Sequence, residues 1–214
     1  MADRRMVGWV VRAAALAYGL LSVYPPIRLS AQDTLPIGFG TLRRDDIVLR
    51  FATGPLEIQL LPLDEDVIRL LAPDTYRSLE SLIRSKRADI ADVGQRQGVS
   101  TPVLVLVTFY GKAPQARFLP EDINLTSRGR LFRPVGVVPL SPTWGNQQLE
   151  PREQAVAIYV FEEGISFRSQ LTVSYQGLSS DAWNHAVSLL DQERARVRAR
   201  ALSQPNPAPP PPNP

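Results

Sequence analysis

Few side chains in this sequence could act as a nucleophile, a general base or a metal ligand. The chain has 214 residues, with no cysteine and a single histidine, His185. A serine nucleophile needs a neighbouring base and a sharp turn that presents it, and no Gly-x-Ser-x-Gly motif occurs. His185 follows Trp183 in a segment with helical periodicity, which is typical of a surface or packing residue. The sequence therefore predicts no catalytic residues and a protein that is not an enzyme.

Carboxylates are the remaining metal-ligating groups, and they would favour calcium or magnesium. The densest clusters are Asp45-Asp46 and Asp64-Glu65-Asp66, and neither has the spacing of a calcium loop. The second cluster can instead begin a helix, because carboxylates stabilise the first helical turn. Glu162-Glu163 lies before a glycine, which is typical of a charged turn rather than of the carboxylate pair in a glycoside hydrolase. We predict no metal and no cofactor.

The positive charge of the chain is concentrated at its N-terminus. The formal net charge is +3, with 24 basic and 21 acidic residues. Four of the basic residues and one of the acidic residues lie in residues 1–31, so the rest of the chain is electrically neutral. A neutral domain lacks the basic surface that nucleic-acid binding needs. The sequence therefore predicts no nucleic-acid partner.

Arginine dominates the basic residues, since only Lys86 and Lys112 are lysine. Genomic base composition can produce this bias, and so can the use of arginine at interfaces, where it forms bidentate ion pairs and stacks on aromatic rings. A cluster of three arginines around Phe132 and the loop residue Trp144 are candidates for such an interface. A loop tryptophan either anchors a partner or closes the end of a β-sandwich. The predicted partner-binding residues are Arg128, Arg130, Phe132, Arg133 and Trp144.

A second group of arginines lies near the C-terminus, in a segment with helical periodicity. It comprises Arg194, Arg196, Arg198 and Arg200. Their alternation scatters them around the helix axis, and Asp191 and Glu193 partly offset their charge. They are either solvated or in contact with an anionic surface, such as lipid headgroups or an acidic partner. These arginines are the candidates for contact with a membrane surface.

Residues 1–31 have the features of an export segment. A hydrophobic run over residues 6–23 is broken only by Arg12, and its uninterrupted part, residues 13–23, has the length of a signal-peptide core. The small residues Ser30 and Ala31 offer a cleavage site. The alternative is an uncleaved anchor over residues 6–23, because a helix of this length spans about 27 Å. Both interpretations predict a periplasmic or other extracytoplasmic location, with attachment to the inner membrane in the second.

Composition divides the remaining chain into three parts. Residues 32–40 form a linker, residues 41–203 a globular domain, and residues 204–214 a proline-rich tail of polyproline II character. A hydrophobic content of 44% suffices for an ordinary core in a domain of this size. Because disulfides are impossible, the exported domain must be stabilised by core packing.

Apolar runs predict a domain made mainly of β-strands. Residues 46–51 and 56–61 flank Thr53-Gly54-Pro55 and predict a hairpin. Residues 101–110 form the strongest predicted strand, and their unbroken apolar character indicates burial on both faces. Three further strands are predicted at residues 122–126, 154–161 and 170–175.

Helical periodicity interrupts the strand pattern twice. A helical insertion is predicted at about residues 64–86, broken by Pro73, and a polar loop follows over residues 88–100. A C-terminal helix is predicted from Ser180, its N-cap, to about residue 202. The proline- and glycine-rich residues 133–145 are predicted to connect two strands without regular structure.

Four stretches carry a resemblance to a known family: residues 118–125, 133–136, 149–153 and 157–161. Over about residues 101–175 the chain resembles the telokin-like, immunoglobulin-type domains secreted by bacteria. In those domains a strand, a long proline-containing crossover and a corner of apolar, proline and charged residues precede a buried strand. The resemblance implies an immunoglobulin-like Greek-key sandwich with a binding or structural role. The helical insertion and the lack of cysteines depart from antibody-type domains.

These features predict a non-enzymatic, exported interaction or structural protein. Its predicted role is that of a membrane-extrinsic accessory subunit that braces a larger membrane complex. The expected partner is a protein, such as an integral-membrane complex, with the membrane surface as a further contact. The alternative is a soluble periplasmic domain that binds a ligand in a pocket near Trp144.

Overall fold

The computed structural model describes residues 35–203, which form a mixed fold of antiparallel sheets and helices. Helices contribute as many of these residues as strands do, so the prediction of a mainly β domain is corrected to a mixed one. The predicted export segment at residues 1–31 and the proline-rich tail at residues 204–214 lie outside the described residues. Within residues 35–203, no helix combines the length and the apolar character that crossing a membrane requires.

The strands, in chain order, are β1 Leu49–Ala52, β2 Leu56–Pro62, β3 Val103–Gly111, β4 Ala116–Arg117, β5 Asn124–Ser127, β6 Arg130–Phe132, β7 Gly136–Pro139, β8 Gln148–Leu149, β9 Gln154–Phe161, β10 Leu171–Tyr175 and β11 Leu178–Ser180. The helices are α1 Arg44–Ile47, α2 Glu65–Ile68, α3 Pro73–Ser85, α4 Arg87–Gln97 and α5 Trp183–Ser203.

Two main sheets organise the domain. The larger has five strands in the order β1-β2-β3-β9-β7, and the smaller has four in the order β11-β10-β5-β6. Strands β4 and β8 form a separate two-stranded sheet, and all of these pairings are antiparallel. The predicted hairpin of β1 and β2 and the predicted strands β3, β5, β9 and β10 are confirmed, with small shifts of their ends.

The two main sheets pack face to face, and a helix covers the outer face of the larger one. Phe109 of β3 and Tyr175 of β10 have ring centroids 5.8 Å apart, which places both side chains between the sheets. On the other face α4 packs against β7 and β9. The approach is close, because a Cβ added to Gly136 would lie 2.4 Å from a methyl carbon of Val93. Central strands β3 and β9 are therefore buried on both faces, as the unbroken apolar run of β3 predicted.

The predicted loop at residues 88–100 is mostly helix, α4. The segment is mostly polar, so its two apolar residues at helical spacing, Ile90 and Val93, were too few to predict a helix. Both are buried against the sheet. The helix ends at Gly98, whose φ of +69° is the left-handed conformation that favours glycine after a helix. The helical insertion itself is confirmed as α2 and α3, with Pro73 at the start of α3.

Three further local predictions are corrected. Residues 44–47 form the helical turn α1, so the first strand begins at Leu49 rather than at residue 46. Residues 133–145 contain strand β7 and part of a 3-10 turn, Pro142–Asn146, because β7 pairs with β9 at the edge of the larger sheet. Ser180 ends β11, where it pairs with Val173, and the C-terminal helix begins at Trp183.

Candidate partner-binding surface

A tight hairpin between β5 and β6 positions the first arginine cluster. Ser127 pairs with Arg130, and the two residues between them, Arg128 and Gly129, have φ values of +51° and +76°. Positive φ at both positions is the signature of a type I′ turn, the two-residue connection that matches strand twist. The hairpin therefore holds the arginines on a rigid, two-stranded support.

Strand β6 lies at the end of the smaller sheet, with β5 as its neighbour on one side. In a two-residue hairpin the pair next to the turn, Ser127 and Arg130, exchanges backbone hydrogen bonds, and the next pair does not. That next pair joins Thr126 and Leu131. The N–H and C=O of Leu131 therefore point away from β5, toward the free edge of the sheet.

The side chains of this hairpin are mostly exposed. Arg128, Arg130 and Arg133 all lie at the surface, and Leu131 is 51% exposed although it is a large apolar residue. We refer to Arg128, Arg130, Leu131 and Arg133 as the hairpin surface. It combines positive charge, an apolar side chain and free backbone groups in one place.

Phe132 lies beneath Arg130, on the opposite face of β6 from Leu131, and is not a contact residue. It is only 2% exposed, and the guanidinium carbon of Arg130 lies 4.7 Å above the centre of its ring. Arg130 also forms an ion pair with Glu162 at 2.8 Å, so two contacts hold its side chain in place. The prediction that Phe132 contacts a partner is corrected, because its position in β6 turns the ring into the core.

A shallow groove of about 260 Å³ continues the hairpin surface beside Arg128. The loop that follows β9 forms one wall, and it is tied to the hairpin by a hydrogen bond that the Ser166 N–H donates to the Ser127 hydroxyl at 3.2 Å. The start of α2 forms the opposite wall, where Asp66 pairs with Arg168. The groove is therefore open, polar and built from segments distant in sequence.

Asp64, in the same groove, has a structural role. Its side chain accepts a hydrogen bond from the Asp66 N–H at 2.9 Å and caps α2, which confirms the predicted helix start. Burial raises the pKa of Asp64, although the hydrogen bond from Asp66 works in the opposite direction. In residues 35–203 no three His, Cys, Asp or Glu side chains come together as metal ligands.

The hairpin surface carries an excess of positive charge. Arg130 and Arg168 each have a carboxylate partner, Glu162 and Asp66. Among the described residues, neither Arg128 nor Arg133 has a carboxylate within salt-bridge distance. Two arginines of the hairpin surface thus have no acidic partner in the described part of the chain.

Trp144 lies in the core and closes one end of the space between the sheets. It is 8% exposed, and its ring centroid lies 5.2 Å from that of Phe118 and 6.0 Å from those of Phe109 and Tyr159. The 3-10 turn Pro142–Asn146 directs the indole inward. Of the two alternatives for this residue, the geometry matches the closing role, and its prediction as a partner contact is corrected.

The aromatic cluster around Trp144 is fixed by hydrogen bonds as well as by packing. The Tyr159 hydroxyl donates to the carbonyl of Pro120 at 2.9 Å, and the Leu119 N–H donates to the Tyr175 hydroxyl at 3.0 Å. Burial raises the pKa of Tyr159 far above its usual value, so the phenol stays protonated. Deeper between the sheets, a cavity lined by apolar side chains has a volume of only about 10 Å³, the size of one water molecule.

The C-terminal arginines do not form one surface. Arg194 is only 7% exposed and pairs with Asp191 at 2.5 Å. Arg200 donates to Glu193 at 2.8 Å and to the carbonyl of Phe39 at 2.6 Å. Arg200 therefore links α5 to Phe39, whereas Arg194 is buried and pairs within α5. The prediction that Arg194 and Arg200 contact a membrane is corrected. Arg196 and Arg198 are exposed and keep that candidacy.

Glu193 is the centre of the contact between α5 and residues 39–41. Its carboxylate is fully buried and accepts hydrogen bonds from the N–H and the hydroxyl of Thr41 at 3.0 and 2.8 Å, as well as from Arg200. Burial acts to raise the pKa of Glu193, but the hydrogen bonds from Arg200 and Thr41 outweigh it and lower the pKa below its usual value. We refer to Glu193, Arg200 and Thr41 as the clasp.

Sequence reasoning missed Leu131, the groove and the clasp. Leu131 had a usable signal, because Arg-Gly between two short strands is a two-residue turn and fixes which neighbours face outward. The groove and the clasp have no local signal, since Thr41 and Glu193 are 152 positions apart. His185, the lone histidine, is exposed near the start of α5 and lines a separate open groove with Trp183 and Leu189. Comparisons with protein-family models, with curated proteins and with solved structures find no match to this chain.

Proposed function

We propose that this chain is an exported, non-enzymatic accessory subunit that braces a larger membrane complex by binding a protein partner through the hairpin surface. The observation that carries the proposal is the placement of Arg128, Arg133 and the half-exposed Leu131 on one rigid hairpin at a free sheet edge. Arginine and apolar side chains around accessible backbone groups are typical of protein interfaces.

In this proposal the domain lies in the periplasm and residues 6–23 attach it to the inner membrane. The hydrophobic run and the export features of residues 1–31 support this location. Exposed Arg196 and Arg198 on α5 are then available to anionic headgroups.

The proposed fold type is an immunoglobulin-like Greek-key sandwich, distantly similar to the telokin-like domains. Its support is the connectivity between two facing antiparallel sheets. The chain leaves the larger sheet after β3, forms β5 and β6 in the smaller sheet, returns for β7 and β9, and leaves again for β10 and β11. Repeated crossing of this kind is characteristic of Greek-key sandwiches.

The alternative function, a soluble ligand-binding domain, requires a pocket near Trp144. The rings of Phe109, Phe118 and Tyr159 occupy the space around this tryptophan. The alternative therefore has less support than the proposal.

Native membranes provide the test. The full-length chain, tagged at its C-terminus and expressed at its natural level, is extracted with mild detergent, and its intact mass and the size of its complex are measured. We expect a chain that retains residues 6–23 and migrates in a larger complex, and an Arg128→Glu/Arg133→Glu variant that leaves the complex. Arg87→Glu, at an exposed arginine of α4 outside the hairpin surface, is the matched control and keeps it. A chain that begins near Gln32 and is released alone would refute the proposal.

A further inference from the structure

We infer that the hairpin surface binds an acidic, extended segment of the partner protein, which adds as a further strand along β6. The inference rests on the proposed function, because it names the chemistry of the partner at the same surface. It has three independent supports in the hairpin: the free backbone edge, the unpaired charge and the exposed leucine.

The backbone of β6 supplies the directional part of recognition. The N–H and C=O of Leu131 point away from β5, and β6 has no second strand neighbour among the described residues. An extended peptide laid along this edge would accept from the Leu131 N–H and donate to its C=O, as in other cases of strand addition. Its side chains would alternate between the two faces of the sheet.

The side chains of the hairpin define what the added segment carries. Arg128 lies at one end of β6 and Arg133 follows the other end, and neither has a carboxylate partner in the described part of the chain. Carboxylates at both ends of the added segment would meet these arginines. An apolar residue between them would cover Leu131, which is 51% exposed. The fitting sequence is therefore short and acidic, with an apolar residue at its centre.

The other edges of the two main sheets lack this combination. Strand β7 ends at Pro139, which has no N–H to donate, and β11 carries no charged side chain. On β1, Arg50 is already paired with Asp45 at 2.5 Å. Charged edges often serve to block unwanted strand pairing, but two unpaired arginines repel basic strands and attract acidic ones. Both the edge geometry and the charge thus favour β6 as the site where an acidic strand is added.

The short length of β6 sets the expected strength. Three residues offer few backbone hydrogen bonds, so the charges must contribute a large share of the affinity. For a single isolated segment we expect a Kd of about 10–100 μM that weakens by about tenfold between low and high salt, because exposed charges are screened.

The test uses full-length protein in mild detergent and a synthetic peptide of about ten residues in which glutamate and valine alternate, the period that an extended strand requires. A peptide of alternating lysine and valine is the control. We expect titration calorimetry to detect the acidic peptide and not the basic one. Equal binding of both peptides, or of neither, would overturn the inference.

Variants separate the backbone contribution from the charge contribution. Leu131→Pro removes the outward N–H without removing a ladder hydrogen bond and should abolish binding, whereas Leu131→Val keeps the N–H and should retain it. Arg128→Glu/Arg133→Glu should weaken binding by at least about tenfold, with Arg87→Glu unchanged. Should Leu131→Pro fail to fold, the double arginine variant decides the question, and unchanged binding by it would overturn the inference.

Failure of this inference can be distinguished from failure of the proposed function. If the native complex depends on Arg128 and Arg133 but the acidic peptide does not bind, the partner is not an acidic strand and only the inference fails. If the peptide binds but the native chain is released alone, the accessory-subunit role fails. A photo-crosslinking residue at position 131 locates the native contact, with the exposed position 87 as its control.

Discussion

The β5–β6 hairpin and the last helix are both rich in arginine, yet they place this residue in opposite environments. On the hairpin, Arg128 and Arg133 are exposed and lack carboxylate partners in residues 35–203. On α5, Arg194 is buried and Arg200 is bound to a fully buried glutamate. An edge strand leaves one side in solvent, whereas a helix packed against the domain must pair any charge that it buries. Arginine content alone therefore does not distinguish a binding surface from a structural contact.

Trp144, one of the two aromatic residues in the predicted binding group, carries the largest expected effect. Trp144→Ala should lower the free energy of unfolding by about 3–5 kcal/mol, because it removes a buried indole from a packed cluster. Urea denaturation measures the change. Trp144→Phe, which keeps an aromatic ring, should cost less. A loss below about 1 kcal/mol for the alanine variant would show that the indole does not close this end of the space between the sheets.

The clasp gives the next largest effect. Glu193→Ala should lower the free energy of unfolding by about 3 kcal/mol, because Arg200 and the Thr41 groups lose a buried partner. Glu121→Gln changes an exposed carboxylate and should stay within about 0.5 kcal/mol of the parent. Equal unfolding curves for these two variants would show that the clasp does not stabilise the fold. The arginines of α5 would then not differ from those of the hairpin in their structural role.

Acid should weaken the clasp. The pKa of Glu193 is lowered in the folded state, so its stabilising contribution is fully present above the ordinary glutamate pKa of 4.5. That contribution is lost as the pH falls from 4.5 through the lower folded-state pKa. Denaturation of the parent and of Glu193→Gln at several pH values should show the two curves converging below this range. A constant difference down to the lowest pH would contradict the assignment.

The smallest expected effect on stability is at the hairpin surface. Arg128→Glu/Arg133→Glu should change the free energy of unfolding by less than about 0.5 kcal/mol per residue, because both side chains are exposed and neither pairs with a carboxylate of residues 35–203. Thermal denaturation measures this, and the same variant should lose its partner. A large loss of stability would mean that these arginines serve the fold, as Arg200 does.

Several elements could be predicted from short-range patterns because their physical causes are local. The β1–β2 hairpin follows from alternation around Gly54-Pro55, α2 from the Asp64 cap, and β3 from an apolar run too continuous for a one-sided strand. The absence of cysteine likewise excluded disulfides and thiol chemistry from composition alone. These features depend on residues that are close together in the sequence, so a sequence pattern is enough to predict them.

The short strands and the helix α4 could not be predicted from such local patterns. Strands β6 and β11 have three residues each, too few for alternation to be recognised, and they exist because neighbouring strands pair with them. Helix α4 looked like a polar loop because only a narrow stripe containing Ile90 and Val93 faces the sheet. In each case the stabilising contact lies in another segment of the chain.

The candidate site followed the same division. Composition and spacing identified Arg128, Arg130 and Arg133 as candidates, because residue type alone determines what chemistry a side chain can offer. Which side chains remain available depended on contacts across the fold: Phe132 and Trp144 are buried in the core, and Arg200 donates to the carbonyl of Phe39. Burial and pairing are set by residues far apart in the chain, so they arise only when the sheets and α5 pack together.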